Sequence, residues 1–242
     1  MQTPGYVALS RQIALTRSMD VSANNIANLD TSGFKRQTML FREYLNGQTG
    51  QDQVSYVADS STVRDLSSGS MRVTDAPLDI AIEGKGYFTL ETAVGPRYGR
   101  GGQFQLNAQN EIVNPNGHAL LSDGGARITL PAGAKDISVA KDGSVSADGA
   151  AIARIQPVNF ENEQRLIHTA DGLLRADGAE PFPAEGSFVR QGALEGSNVN
   201  AVTELVNLLQ VQKDYQGVHR MIKGEHDRLV QAIRELGKVD QG

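Results

Sequence analysis

The sequence predicts a mainly β protein with terminal α-helices: a compact all-β domain inserted between N- and C-terminal helices that pair as a coiled coil. Three observations predict it. Residues Asn200 to Val239 carry apolar side chains on alternating steps of four and three. The first thirty residues are apolar at helical period and end in Ala23-Asn24-Asn25-Ile26-Ala27-Asn28. The stretch between them keeps no helical period and is punctuated by Asp-Gly and Asn-Gly pairs.

The C-terminal helix has the clearer pattern. Leu208, Val211, Tyr215, Val218, Ile222, Leu229, Ala232 and Leu236 fall on one seam, and Glu225 is its one charged intruder. That is the spacing of a coiled-coil helix. In the N-terminal helix, from about residue 5 to 28, Tyr6, Leu9 and Ile13 lie on one stripe, while Ala8, Leu15, Met19 and Ile26 lie on another. Two apolar sides fit either a helix sandwiched in its own domain or one that meets neighbouring subunits. Asn24, Asn25 and Asn28 each cost about 0.5 kcal/mol relative to alanine in a helix, so they call for capping or bridging roles. Thr31-Ser32-Gly33 then supplies a turn in which Gly33 takes positive φ without strain.

Residues 34–74 read as a connector. Phe34, Met39, Leu40, Phe41, Tyr44 and Leu45 precede a polar loop from Asn46 to Gln53, followed by short strands near Val54–Val57 and Met71–Val73. Residues 75–192 read as the β domain. Asn116-Gly117, Asp123-Gly124, Asp142-Gly143, Asp148-Gly149, Asp171-Gly172 and Asp177-Gly178 suit the two positive-φ positions of type I′ turns. The strands expected between them are Leu78–Ile82, Tyr87–Glu91, Gln103–Leu106, Arg127–Leu130, Ile137–Val139, Val145–Ala147 and Ile155–Phe160. Residues 193–242 complete the chain as the second helix.

Composition narrows the function. A formal charge of -5 over 242 residues gives no basic footprint, so no nucleic-acid partner is expected. No window approaches a membrane-spanning run, so no membrane insertion is expected, and the N-terminus lacks the pattern of a cleaved secretory signal. With no cysteine, disulfides and thiolate chemistry are excluded. Gly84-Lys85-Gly86 and Gly99-Arg100-Gly101-Gly102 resemble pieces of a phosphate loop, but the first runs into the strand-like Tyr87-Phe88-Thr89-Leu90 rather than a helix N-terminus. His219 and His226 are seven apart, not the metal-binding four, and His118 and His168 read as turn-side residues. No catalytic residue, metal ligand or cofactor is assigned.

Three blocks carry a family resemblance. Ala23-Asn24-Asn25-Ile26-Ala27-Asn28 with Thr31, Gly33, Phe34 and Lys35 is similar to the N-terminal signature of bacterial flagellar rod and hook proteins. Pro77-Leu78-Asp79-Ile80-Ala81-Ile82-Glu83-Gly84-Lys85-Gly86-Tyr87-Phe88 and Tyr98-Gly99-Arg100-Gly101-Gly102-Gln103-Phe104 resemble two central blocks of that family. Leu194-Glu195-Gly196-Ser197-Asn198-Val199-Asn200, then Glu204-Leu205-Val206 and Gln212-Lys213-Asp214-Tyr215, look like its C-terminal signature. Length favours the F and G rod types over the longer hook proteins, and Tyr6-Val7-Ala8-Leu9-Ser10-Arg11-Gln12 resembles the F type.

The resemblance implies a structural subunit, not an enzyme. Such a subunit is exported by the flagellar type III apparatus without a cleaved signal, and polymerises with itself and other rod proteins into the drive shaft crossing the periplasm. It implies that residues 1–33 and 193–242 form the tube and that 75–192 form an outer domain. The assembly interface would then include Leu9, Ile13, Asn24, Asn25, Ile26, Asn28, Gly33, Phe34, Asn198, Leu208, Val211, Tyr215, Val218, Ile222 and Leu229. The alternatives are a G-type distal rod subunit and a secreted polysaccharide-binding β protein with a helical stalk. The latter fits poorly with 5% aromatic residues and no tryptophan.

Overall fold

The computed structural model describes residues 3–46 and 54–239, which separate into two compact units. The first unit contains helix α1 (Thr3–Ala27), strands β1 (Gln37–Asn46) and β2 (Val54–Arg64), and helix α2 (Ala201–Val239). The second comprises residues 28–36 and 66–199.

In the first unit the stretch expected as a connector contains a long antiparallel pair. Gln37 faces Arg64 at one end and Asn46 faces Val54 at the other. The short strand expected at Val54–Val57 therefore runs on to Arg64, and β1 had no counterpart among the expected strands. Thr38, Phe41 and Tyr44 are residue types enriched in strands, which favours β1 in the sequence. The register slips between Arg42 and Glu43, leaving Ala58 as an extra residue in β2. This bulge breaks the two-residue period, and the polar run Asp59-Ser60-Ser61-Thr62 after it reads as loop. Residues 47–53, the core of the expected loop, lie outside the described residues.

Helix α2 begins where its cap dictates. The Asn200 side-chain oxygen accepts the N–H of Thr203 at 3.0 Å, and its carbonyl accepts that of Glu204 at 3.0 Å. Glu204 in the first turn also complements the positive end of the helix dipole.

The second unit is built from short antiparallel strands. One sheet runs in the order Ile167–His168, Leu174–Arg175, Gly95–Gly99, Phe88–Thr92, Ala119–Leu120, Ile112–Val113, Gln105–Leu106. Ile137–Val139, Ser144–Ala147 and Ala150–Arg154 form a second sheet. Ile80–Glu83 pairs with Phe188–Gln191, Met71–Val73 with Ala193–Glu195, and Val158–Asn159 with Phe182–Pro183. Ile80, Ile82, Phe88, Leu90, Ile112, Leu120, Ile128, Val145 and Ile155 make the centre of one apolar core. A second cluster gathers Tyr87, Tyr98 and Phe160, with the Tyr98 and Phe160 rings edge to face at 4.7 Å.

Two strand expectations change. Residues 127–130 take part only in isolated bridges, at Arg127 and Thr129. Residues 155–160 are interrupted at Pro157, with strands at Ala150–Arg154 and Val158–Asn159 instead.

The turns also differ from expectation, for one shared reason. Of the six dipeptides only Asp148-Gly149 has both residues at positive φ, 50° and 81°. At Asn116-Gly117, Asp142-Gly143, Asp171-Gly172 and Asp177-Gly178 the glycine alone is left-handed, and beside Asp123-Gly124 that role passes to Gly125. The carbonyls of Asn114, Ser122, Ala140 and Thr169 accept from Gly117, Gly125, Gly143 and Gly172 at 2.9 to 3.1 Å. Their own N–H groups reach the carbonyls of His118, Ala126, Ser144 and Leu173. This is a three-residue hairpin loop that ends in a glycine bulge. Such a loop puts its closing glycine alone at positive φ, whereas Asp148-Gly149 is a two-residue loop between the paired Ala147 and Ala150. Within one of the three-residue loops Asp142 accepts the Ser144 N–H at 3.1 Å. That bond and the Ser144 hydroxyl hold the Asp142 carboxyl below the usual carboxylate range.

Candidate functional site

The helix pair is the feature the sequence foresaw most directly. Gln12 Nε2 of α1 donates to the Tyr215 hydroxyl at 2.9 Å, and Asn25 Nδ2 donates to Glu204 Oε2 at 3.2 Å, so the helices run antiparallel. The buried face of α1 is made of small or short side chains, Ala8, Ala14, Ser22 and Asn25. Opposite them α2 presents Leu208, Val211, Tyr215 and Ile222 half-buried, and Val218 and Glu204 buried. The ring of His219 stacks over Tyr215, 6.5 Å between centroids.

Asn25 explains one of the three asparagines. It is 1% exposed; its Oδ1 accepts the Gln37 N–H at 2.9 Å and its Nδ2 donates to the Gln37 carbonyl at 2.8 Å. One side chain thus pairs with both main-chain groups of the first residue of β1, as a neighbouring strand would. Asn28 accepts the Thr31 hydroxyl at 3.0 Å in the turn that follows. Asn24 is exposed, and Ile26 is half-buried.

The seam of α2 outlasts α1. With 25 and 39 residues the helices are about 38 and 58 Å long. Leu229, placed on the seam by its spacing, is 60% exposed, and Ile233 one turn further is 68% exposed. The side chains of Ala232 and Leu236 lie outside the described residues. A stripe not foreseen runs along another face of α2, where Val202, Leu205, Val206 and Leu209 are all more than half exposed. On α1, Leu9 and Ile13 are each 49% exposed. Their spacing at three and four residues is the signal that would have found the α2 stripe.

In the second unit the sequence blocks meet at a buried ion triad that sequence reasoning missed. Glu195 is 1% exposed; its Oε1 accepts from Lys35 Nζ at 2.7 Å and its Oε2 from Arg100 Nε at 2.5 Å. Arg100 is satisfied further by the carbonyls of Gly86 at 2.7 Å and Gly84 at 2.5 Å. Lys35, Arg100 and Glu195 come from the N-terminal, second central and C-terminal blocks, and Gly84 and Gly86 from the first central block. The glycines there are packed backbone against backbone. Gly33, at φ 71°, would place a Cβ 2.4 Å from the Arg100 carbonyl carbon, and a Cβ on Gly69 would lie 2.0 Å from the Gly196 oxygen. The positive φ read from the sequence at Gly33 is therefore present, with a steric requirement added to it. Phe34 is half-buried and its carbonyl accepts the Asn198 N–H at 3.4 Å, while Asn198 Oδ1 accepts the Arg36 N–H at 2.6 Å. Arg100 between Gly99 and Gly101 and Glu195 between Leu194 and Gly196 carried the available signal; Lys35, next to Arg36, carried none.

The histidines lie apart. His118 Nε2 is 3.3 Å from Asp171 Oδ2, joining two turns, and His226 is exposed on α2. Among the described residues no group of three or more His, Cys, Asp or Glu is placed to hold a metal ion, and no helix is long and apolar enough to cross a membrane.

Comparison with known proteins follows the same division of the chain. Residues 6–35 match the family described as flagella basal body rod protein, residues 81–147 the flagellar hook protein FlgE/F/G D1 domain, and residues 190–235 the flagellar basal body rod FlgEFG protein C-terminal family. Flagellar basal-body rod protein FlgF of Caulobacter vibrioides is 34% identical, across 97% of this chain and 98% of that protein. FlgF of Rhizobium meliloti is 35% identical, across 98% and 99%. Flagellar basal-body rod protein FlgG of Caulobacter vibrioides is 34% identical, across 95% and 97%. These relatives are structural proteins of the basal body, and their family assembles from several kinds of rod subunit. The chain belongs to the bacterial flagellar basal-body rod proteins, as a structural rod subunit of the F type.

Proposed function

We propose that the terminal helices are the assembly surface of this rod subunit, and that it works by shape and polymerisation without catalysing a reaction. One observation carries the reading: Leu9, Ile13, Val202, Leu205, Val206 and Leu209 expose 49% to 72% of their surface along helices whose other faces are already packed. Apolar stripes left uncovered on a folded chain are the features that subunit contacts cover. Contacts between such unlike faces are heterologous, and where the rotation they impose does not close into a ring they build an open helical assembly. In this reading residues 1–33 and 193–242 form the tube and residues 75–192 the outer domain. Self-association and contact with other rod proteins both use the helices. The subunit reaches its place in a shaft across the periplasm through the flagellar type III export apparatus, without a cleaved signal peptide.

The test replaces exposed apolar residues by charge. Leu205→Asp with Leu209→Asp, and separately Ile13→Asp, should leave the thermal midpoint of the purified chain nearly unchanged, because exposed substitutions cost about 0.5 kcal/mol or less. Both should abolish motility while the protein is still made and exported. Motile cells with intact rods would remove these faces from the assembly interface.

A further inference from the structure

We propose that residues 193–199 form a latch, locked by the Glu195 carboxylate, which opens as a unit separate from the β core and releases the chain segments that lead to both helices. The Glu195 side chain is fully buried. Besides Lys35 and Arg100 it accepts the Gly69 N–H at 2.9 Å, and its own carbonyl accepts the Gly33 N–H at 2.8 Å. Three residues on, Asn198 takes the Arg36 N–H and donates to the Ser67 carbonyl at 3.0 Å. Lys35 Nζ donates to that same carbonyl at 2.7 Å. One short stretch thus holds residues 33–36 and 67–70 through polar groups.

The kind of contact sets this region apart from the core. Ile80, Phe88, Leu120 and Val145 belong to one continuous apolar cluster, and Ala193 and Leu194, although buried, stand outside it. Met71 and Val73, on the strand paired with 193–195, are exposed. Ala193 and Leu194 are the buried apolar side chains of residues 193–199, and the rest of their hold is ion pairs and main-chain bonds; elements so held open at lower cost than an apolar core.

The ion triad makes that opening all-or-none. Lys35 and Arg100 are buried, and a buried cation that loses its carboxylate is strongly unfavourable. Either Glu195 enters and seats both cations, or the surrounding segments are loose together. Residues 28–36 follow α1 and residues 193–199 precede α2, so one carboxylate governs the tethers of both helices. Opening leaves the β core intact while each tether becomes free to re-seat.

Hydrogen exchange on the full-length chain, read by mass spectrometry, tests this. In the unaltered protein, peptides covering 28–36, 66–73 and 193–199 should exchange through one common opening, at least about tenfold faster than peptides covering 112–121 and 144–147. Glu195→Gln should accelerate the three latch peptides by about 100-fold or more and leave the core peptides within about threefold. Lys35→Met, which keeps the Arg100–Glu195 pair, is the milder variant should Glu195→Gln fail to fold, with an acceleration of about tenfold confined to the same three peptides. Equal acceleration of latch and core in either folded variant would make the triad part of global unfolding and overturn the latch. Unequal exchange among the three latch peptides in the unaltered chain, or unchanged exchange in the variants, would overturn it as well.

Discussion

At Asn25 a single amide satisfies the two main-chain groups of Gln37 and one oxygen of Glu204, with Asn25 and Glu204 themselves buried and Gln37 half-buried. Asn25→Ala would strand a buried donor and acceptor, each worth about 1 to 3 kcal/mol, so the urea midpoint should fall markedly. Asn25→Asp should be at least as harmful, since it loses both donated bonds and sets a carboxylate beside Glu204. Equal midpoints for Asn25→Ala and the unaltered chain would show that water replaces the amide. Gly33 offers an internally controlled case. Alanine at Gly33 meets both positive φ and a 2.4 Å approach to main chain, whereas at Gly172, also at positive φ, the added Cβ meets nothing within 4 Å. Gly172→Ala should cost about 1 to 3 kcal/mol, and Gly33→Ala clearly more. Comparable melting temperatures for the two variants would show that the main chain around Arg100 yields.

At the scale of elements, α2 carries two glycines where the helix does not need them. Gly217 and Gly224 face open space, and glycine within a helix is about 1 kcal/mol less favourable than alanine. Gly217→Ala and Gly224→Ala should each raise the helical signal and the melting temperature of the first unit; a decrease in either would reveal a bend that the helix requires. Both helices were legible in sequence because a period of 3.6 survives over long runs, and the seam from Leu208 to Ile222 faces α1 as its spacing required. The β1–β2 pair was not legible, since its bulge at Ala58 breaks alternation and its pairing is specified by residues far apart in sequence. The two-residue strands Ile112–Val113 and Ala119–Leu120 are too short to show any period. The dipeptides marked where the chain turns but not the hand of the residue before each glycine, which follows from whether the loop has two residues, as at Asp148-Gly149, or three. The triad escaped notice because Lys35, Arg100 and Glu195 become neighbours only through the fold.

At the scale of the whole molecule, the difference in helix length allows folding and assembly to be tested apart. Residues beyond about 225 of α2 have no α1 beside them, and Leu229 and Ile233 are exposed on the face that is buried further up the helix. Deleting residues 226–242 should therefore leave Val218, Ile222 and the Tyr215–Gln12 contact in place, and change the unfolding midpoint of the dilute subunit little. Deleting residues 200–242 removes the helix that pairs with α1, leaving it only the β1–β2 pair. It should cost the first unit its structure while the β signal of the second unit persists, because most helical stability comes from packing rather than propensity. Both truncations should stop rod formation, the shorter one without harm to the subunit itself. Circular dichroism of the purified chains and electron microscopy of basal bodies read the two effects independently. Intact rods built from the chain lacking 226–242 would show that the uncovered end of the seam takes no part in assembly, and loss of β signal in the longer deletion would show that the second unit does not hold its fold without the helix pair.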